Sequence, residues 1–182
     1  MFMKKFPYLP VEDDGRLHDP SIRENFIERI FTYKRWLEMI ETQKTVNGLI
    51  QFHTCHKLML MAHSPEHYRI AGQITASADK SNRQDKQSDY VKNLMEGLKK
   101  TATPRKNFNV LQHILGYFKN DLTSDEKKET LDIMENYKNE LIPLIVPVTL
   151  LNHFINKYNQ EYLKGQFYLH PHPNELKLRN HA

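Results

Sequence analysis

Helix-start signals divide this sequence into short amphipathic segments, and they constrain its fold more than any other feature. A residue that can cap a helix precedes proline at Asp19-Pro20 and at Ser64-Pro65, and proline suits the first position of a helix. A third start is the capping box that begins at Thr123, in which the Thr123 and Glu126 side chains satisfy backbone N–H groups. No segment alternates apolar and polar residues as a β-strand would. The sequence therefore predicts an all-α fold.

Apolar spacing extends these starts into about seven helices, which we expect to form a single-domain irregular bundle. The first helix, from Asp19, places apolar residues on one face at Ile22, Phe26, Ile30, Tyr33, Leu37 and Ile40. Further helices are expected at about 45–63, 64–78, 90–98, 104–118, 124–141 and 147–160. We expect an exposed polar loop at 79–87 and an extended segment at 167–173. An extended N-terminal arm and a basic C-terminal tail complete this architecture.

The composition excludes several classes of protein. The chain has 182 residues, of which 39% are apolar, so it can bury one sizeable core. Cys55 is the only cysteine, which excludes an intramolecular disulfide or a cluster held by its own cysteines. The longest apolar stretch, residues 141–151, spans about 16 Å as a helix and is too short to cross a bilayer. No secretory signal is recognised, and we expect a cytoplasmic protein without a membrane partner.

The predicted helix over residues 49–63 carries polar residues among apolar ones. His56 and His63 fall within its apolar stripe, and Lys57 lies between two apolar positions. One interpretation is that the histidines are core residues bound to backbone carbonyls while Lys57 extends to solvent. A second is that they line an anion or ligand pocket, with histidine as general acid or base. A metal site is the third, and it would combine His53 and His56 with ligands from other helices, for which His113 and His153 are the candidates.

The predicted helix that follows Pro104 has a polar stripe opposite its apolar face. At 100° per residue, Lys106, Asn109, His113 and Tyr117 lie within about 80° of one another. Additional cations flank the stripe at Lys99, Lys100, Arg105 and Lys119. The stripe is either a solvated surface or a contact surface for a phosphate-bearing partner, which the N-terminus of the helix would also favour.

Recognisable motifs lie at residues 56–65 (HKLMLMAHSP), at Tyr68-Arg69 with Gly72, at residues 109–119 (NVLQHILGYFK), in the apolar segment 143–151 and at residues 168–180. Together they resemble the YbgA-like family of bacterial domains of unknown function. The resemblance covers about residues 45–180. It implies that Lys57, His63, Asn109, His113, Tyr117 and Lys119 occupy the most recognisable motif positions of the family.

A second resemblance lies in front of it. Residues 6–12 (FPYLPVE), 15–17 (GRL) and 23–26 (RENF) resemble the end of the thiouracil-desulfurase-like domain that is often fused to YbgA-like domains. In that domain cysteines hold an iron–sulfur cluster, and those cysteines are absent from this chain, so desulfurase activity is not expected. We therefore expect an extended arm over 1–18, a linking helix over 19–44 and a YbgA-like helical domain over 45–182.

Three functions are compatible with these observations. The first is an accessory binding domain that presents nucleic acid or a modified nucleobase to a desulfurase-like partner. The second is a small enzyme that acts on a phosphorylated or heterocyclic metabolite through a Lys/His pocket, and the third is an oligomerisation or docking module. The sequence predicts no cofactor and no metal, and it identifies no catalytic residue. The candidate ligand- or anion-binding residues are Lys57, His63, Arg105, Lys106, Asn109, His113, Tyr117 and Lys119.

Overall fold

The fold of this chain consists of α-helices and short 3-10 turns. A computed structural model describes residues 6–173, 176, 178 and 179, and these contain no β-strand, which confirms the predicted all-α class. The helices are α1 (Pro20–Thr42), α2 (Val46–His63), α3 (Pro65–Ala76), α4 (Arg83–Leu98), α5 (Pro104–Leu115), α6 (Ser124–Lys138), α7 (Ile145–Lys157) and α8 (Glu161–Lys164). Single 3-10 turns lie at Arg16–His18 and Gly116–Phe118. None of the described helices is long and apolar enough to cross a membrane.

The predicted caps begin the helices at the expected residues. The Asp19 carboxylate accepts hydrogen bonds from the N–H groups of Ser21 and Ile22 at the start of α1. The Ser64 hydroxyl accepts from the N–H of His67 at the start of α3, and the complete capping box is present at Thr123. These starts are predictable because each cap uses only residues within one helical turn.

Several helix ends differ from the prediction. Helix α4 already begins at Arg83, so the loop before it is shorter than the predicted 79–87. Helix α6 ends at Lys138 rather than Leu141, because Glu140 adopts a left-handed backbone with φ 60° and Leu141 is exposed. Helix α7 begins at Ile145, two residues before Pro147. Residues 167–173 form turns rather than an extended segment.

Helix α2 lies at the centre of the molecule and packs against α1, α3, α4 and α5. Its side chains are buried on nearly every side, as its mixed apolar pattern predicted. The rings of Trp36, Phe52 and Tyr90 join α1, α2 and α4, with centroid distances of 5.2 Å and 5.6 Å from Trp36 to the other two. Helix α1 therefore shares its core with the helices of the predicted YbgA-like segment.

Helix α1 buries a polar face rather than its apolar stripe. None of the residues on the predicted apolar face is buried, and Ile30 and Leu37 are 37% and 46% exposed. The buried positions are instead Asn25, Glu28, Arg29, Thr32, Trp36 and Met39. Ile30 and Leu37 thus lie on an outer face of the molecule, whereas Tyr33 and Ile40 of the same stripe are partly buried against the core. Two charged side chains of α1, Glu28 and Arg29, are buried instead. This rotation creates the polar cluster described next.

Candidate functional site

A buried ionic cluster joins α1 to the C-terminal segment of the chain, which is the part after α8 that contains Tyr168 and Arg179. Arg179 donates hydrogen bonds from Nε to Glu24 Oε1 at 2.9 Å and from Nη2 to Glu28 Oε1 at 2.8 Å. Its Nη1 donates to the backbone oxygen of Tyr168 at 2.6 Å. The backbone of Arg179 is left-handed, with φ 69°, which is strained for a residue other than glycine. The two carboxylates and the contact with Tyr168 hold this strained conformation in place.

His63, at the end of α2, extends the cluster. Its Nε2 lies 3.0 Å from Glu28 Oε2, and its Nδ1 lies 2.8 Å from the backbone oxygen of Lys100. The Asn25 amide Nδ2 also lies 3.3 Å from His63 Nδ1, so His63 contacts α1 at two positions. The bond to Lys100 agrees with the prediction of a buried histidine bound to a backbone carbonyl, and the bond to Glu28 adds a charge partner that was not predicted.

The two carboxylates of the ionic cluster, Glu24 and Glu28, have opposite electrostatic environments. Burial alone would raise the pKa of Glu28, but its hydrogen bonds to His63 and Arg179 outweigh that cost and lower the pKa to about 2. Burial and the neighbouring Glu28 charge raise the pKa of Glu24 to about 7, against the opposing effect of Arg179. Glu28 is therefore a fixed negative charge, while Glu24 changes its protonation state near neutral pH. Such divergence within one cluster is typical of functional sites.

A chain of neutral hydrogen bonds lies beside the charges. The Tyr168 hydroxyl donates to Asn107 Oδ1 at 3.1 Å, and Asn107 Nδ2 donates to the Tyr137 hydroxyl oxygen at 2.9 Å. Burial raises the pKa of Tyr137 to about 12, so its hydroxyl keeps its proton at neutral pH. Helices α5 and α6 and the C-terminal segment each contribute one member of this chain.

The ionic cluster and the hydrogen-bonded residues Tyr168, Asn107 and Tyr137 line one cavity of about 190 Å³. We call it the α1 cavity. Its polar wall consists of Ser21, Glu24, Asn25, Glu28, His63, Thr101, Asn107, Tyr137, Glu140, Tyr168 and Arg179. Its apolar wall consists of Met59, Ala62, Ala102, Pro104, Ile142 and Leu144.

A second surface lies along the exposed side of α5. Asn109 and His113 are exposed, and Tyr117, in the following 3-10 turn, is 37% exposed. The Tyr117 ring stacks on Tyr162 with a centroid distance of 5.3 Å and an interplanar angle of 19°, and the His113 ring meets its edge at 5.7 Å. Lys57 Nζ lies 5.1 Å from the centroid of the Tyr162 ring. We call this surface, with Arg105, Lys106 and Lys119, the α5 face.

The candidate residues predicted from the sequence thus divide between two places. Of the eight, His63 alone is among the described residues that line the α1 cavity. Six others lie on the α5 face, namely Arg105, Lys119, Lys57, Asn109, His113 and Tyr117, and of these Arg105 and Lys119 are exposed cations. Lys106 connects the two, because its Nζ donates to the backbone oxygens of His63 at 2.9 Å and Thr101 at 3.3 Å. The structure does not bring Lys57 and His113 into one cavity with His63.

The remaining histidines occupy structural or surface positions. His56 is buried between Phe52 and Phe167, its Nδ1 lies 2.8 Å from the Phe52 oxygen, and burial lowers its pKa to about 3. His153 is exposed on α7. Within the described part of the chain, no group of three histidine, cysteine or acidic side chains could hold a metal ion.

Sequence reasoning missed the charged half of the cavity. The apolar stripe of α1 points away from Glu24 and Glu28, and Arg179 falls in the predicted basic tail. The signal that could have found Glu28 is that Asn25, Glu28, Thr32, Trp36 and Met39 also follow helical spacing, with polar residues among them.

The fold is a bundle of α-helices around a partly polar cavity, and comparison with known proteins identifies the family. The profile described as "Protein of unknown function (DUF1722)" matches residues 57–173, so the chain belongs to this family. The chain is also 29% identical over 153 residues to the "Uncharacterized protein YbgA" of Escherichia coli K12, which covers 84% of this chain and 90% of that protein. These findings confirm the predicted resemblance to the YbgA-like family. No solved structure gives a significant match.

Proposed function

We propose that this protein is an accessory domain that binds single-stranded nucleic acid along the α5 face. The observation that carries the proposal is the exposed Tyr117 ring, which stacks on Tyr162 while Lys57 Nζ lies 5.1 Å from the centroid of the Tyr162 ring. Aromatic rings that stack on bases, combined with cations that contact phosphates, are the usual means of binding single strands without strict sequence preference.

The charge of this segment supports the proposal. Residues 97–120 contain no acidic residue and five cations, at Lys99, Lys100, Arg105, Lys106 and Lys119. Arg105 and Lys119 are exposed, whereas Lys99 and Lys100 form exposed ion pairs with Glu96 and Glu66. Exposed ion pairs contribute little free energy, so phosphates can replace these glutamates at low cost.

The partner would be a desulfurase-like enzyme, as the resemblance of residues 6–26 implies. Two features of the molecule offer it a docking surface. The outer face of α1 exposes Ile30 and Leu37, and the N-terminal segment exposes Leu9 and Val11. Apolar side chains grouped on one helix face are typical of protein contacts. The domain would then hold a strand while the partner acts on one of its bases.

Salt-dependent binding tests this function. Fluorescence anisotropy with a labelled single-stranded 12-mer RNA, and with tRNA, should show affinity that falls steeply between 50 mM and 200 mM salt. The double variant Arg105→Ala/Lys119→Ala should reduce the slope of log K against log salt by about 1.4, because about 0.7 is lost per phosphate contact on a single strand. Lys80→Ala is the matched control, since Lys80 precedes α4 and lies at the opposite end of that helix, about 24 Å from Lys99.

The stacking contact has its own test. Tyr117→Ala should weaken RNA binding about 5- to 100-fold, whereas Tyr117→Phe should retain it, because base stacking contributes about 1–3 kcal/mol and needs the ring alone. RNA affinity that does not change with salt, or that survives Tyr117→Ala intact, would refute the proposed function.

A further inference from the structure

The α1 cavity is a second site, distinct from the α5 face. It lies among α1, the end of α2, the start of α5 and the C-terminal segment, and none of Asn109, His113, Tyr117 or Lys119 is among its described lining residues. At about 190 Å³ it has room for about six water molecules, at roughly 30 Å³ each. It is smaller than the pockets of roughly 300–1,000 Å³ that bind drug-sized ligands. A ligand of one ring or two fused rings fits this size.

The cations of the described cavity wall already have acidic partners. Arg179 is paired with Glu24 and Glu28, and His63 Nε2 lies 3.0 Å from Glu28 Oε2. An anionic ligand would lose its hydration on entry and would find no unpaired cation among these groups. Glu140, which also lines the cavity, is exposed, so water screens its charge. The cavity therefore favours a ligand without net charge.

One hydroxyl of the wall has a proton available for a ligand. The Tyr137 oxygen accepts from Asn107 Nδ2, so its own proton must point elsewhere. Tyr137 is 7% exposed and lines the cavity, and no described residue accepts that proton. A buried donor without an acceptor costs free energy that a ligand acceptor would recover.

Part of the cavity wall is apolar. Met59, Ala62, Ala102, Ile142 and Leu144 present only carbon and sulfur side chains to the cavity. A flat ring can pack against such a wall while its edge meets the polar groups. This combination of an apolar wall and a few oriented polar groups is the usual form of a small-molecule site.

We propose that the α1 cavity binds a small uncharged nitrogen heterocycle, with an acceptor atom on the Tyr137 hydroxyl and its ring against the apolar wall. The side chains that meet the ligand are Tyr137, Asn25, Met59, Ala102 and Ile142, all of which line the cavity. Arg179 and Glu28 act as positioning residues, because they hold the C-terminal segment that closes one side of the cavity.

A panel of small neutral and anionic probes tests the ligand class. Isothermal titration calorimetry and thermal unfolding of the full chain would be performed with uracil, cytosine and adenine, and with orotate and inorganic phosphate as anions. Orotate is uracil with an added carboxylate, so the pair isolates charge. We expect at least one neutral heterocycle to bind and to raise Tm, and orotate and phosphate to bind at least tenfold more weakly. Equal affinity for uracil and orotate, or no neutral probe bound at millimolar concentration, would overturn the proposal.

Two variants test the location of the site. Ala102→Leu should fill the cavity and abolish heterocycle binding without disturbing the ionic cluster, whereas the same change at the exposed Ala76 should have no effect. Tyr137→Phe removes the donor and should weaken binding about 3- to 10-fold. Binding that Ala102→Leu leaves unchanged would place the heterocycle elsewhere and refute the assignment.

The same proteins distinguish this inference from the proposed nucleic-acid function. Ala102→Leu should bind the single-stranded RNA like the wild type, and Arg105→Ala/Lys119→Ala should bind the heterocycle like the wild type. Loss of RNA binding in Ala102→Leu would mean that the two sites are one and would contradict a separate cavity ligand. Heterocycle binding by a wild-type protein that does not bind RNA would support the cavity site alone.

Discussion

Replacing Glu24 with glutamine should stabilise the protein at pH 8 and change little at pH 5. Glu24 lies on α1 beside Arg179 and Glu28, and burial and the Glu28 charge raise its pKa to about 7. Because this folded-state pKa lies above the ordinary value of 4.5, the protonated form of Glu24 contributes stability that is fully present below about pH 4.5. That contribution is lost as the pH rises through about 7. Glutamine resembles the protonated form at every pH, and its amide oxygen can still accept from Arg179 Nε.

The expected size of the effect follows from the two pKa values. One pKa unit corresponds to about 1.4 kcal/mol. Ionised Glu24 therefore lowers the free energy of unfolding by about 3 kcal/mol at pH 8, and by less than about 1 kcal/mol at pH 5. Among the neighbours, the pKa of Glu28 lies at about 2 and that of Tyr137 at about 12, so neither titrates in this range.

Urea unfolding followed by circular dichroism at pH 5, 6, 7 and 8 measures the difference between the wild type and Glu24→Gln. Glu38→Gln, an exposed change on the same helix, is the control and should alter the free energy of unfolding by less than about 0.5 kcal/mol at each pH. If Glu24→Gln destabilises the protein at pH 8, the Arg179 contact dominates and Glu24 is an ordinary ionised partner. An effect that does not change with pH would refute the raised pKa.

Three further predictions concern stability and use the same unfolding assay. Arg179→Met should lower the free energy of unfolding by about 3–5 kcal/mol at pH 7, since it leaves Glu28 buried without its guanidinium partner; a loss below about 1 kcal/mol would mean that water replaces the guanidinium. Gly97→Ala should cost about 1–3 kcal/mol, because its Cβ would lie 2.6 Å from Leu60 Cδ1 and 2.7 Å from His67 Cβ. Gly72→Ala, also within a helix but with no atom within 4 Å of the new Cβ, should instead stabilise by up to about 1 kcal/mol, and equal effects at the two glycines would contradict this account of packing. Thr123→Ala should cost about 1 kcal/mol through loss of the capping box, whereas the neighbouring Ser124→Ala should cost much less, and similar losses would show that the box is not the cause.

Local chemistry explains which parts of the fold were predictable. Asp19, Ser64 and Thr123 begin helices through bonds that span two or three residues, so the sequence alone locates them. Helix ends depend on what surrounds them, and α6 stops early because the chain turns at Glu140. The orientation of α1 was not predictable from hydrophobicity, because an ionic cluster and Trp36 decide which face is buried.

The candidate site was predictable only where one helix contains the signal. His63 stood out because it interrupts an apolar stripe, and the polar side of α5 stood out because its residues share one angular range. The α1 cavity joins residues from several distant parts of the chain, and no local pattern relates Arg179 to Glu28. Whether the α5 face binds nucleic acid is a prediction that the RNA titrations test.

The pairing of Arg179 with α1 has a consequence for how the protein is made. Arg179 and Glu28 are separated by 151 positions, so their ion pair closes almost the whole length of the chain. During synthesis α1 leaves the ribosome early, and its carboxylates stay without their guanidinium partner until residue 179 has followed. A chain interrupted before that point would contain every long helix yet lack the contact that neutralises Glu28. Glu28 would then lie buried without its guanidinium partner, so an interrupted chain would be less stable than one that contains Arg179.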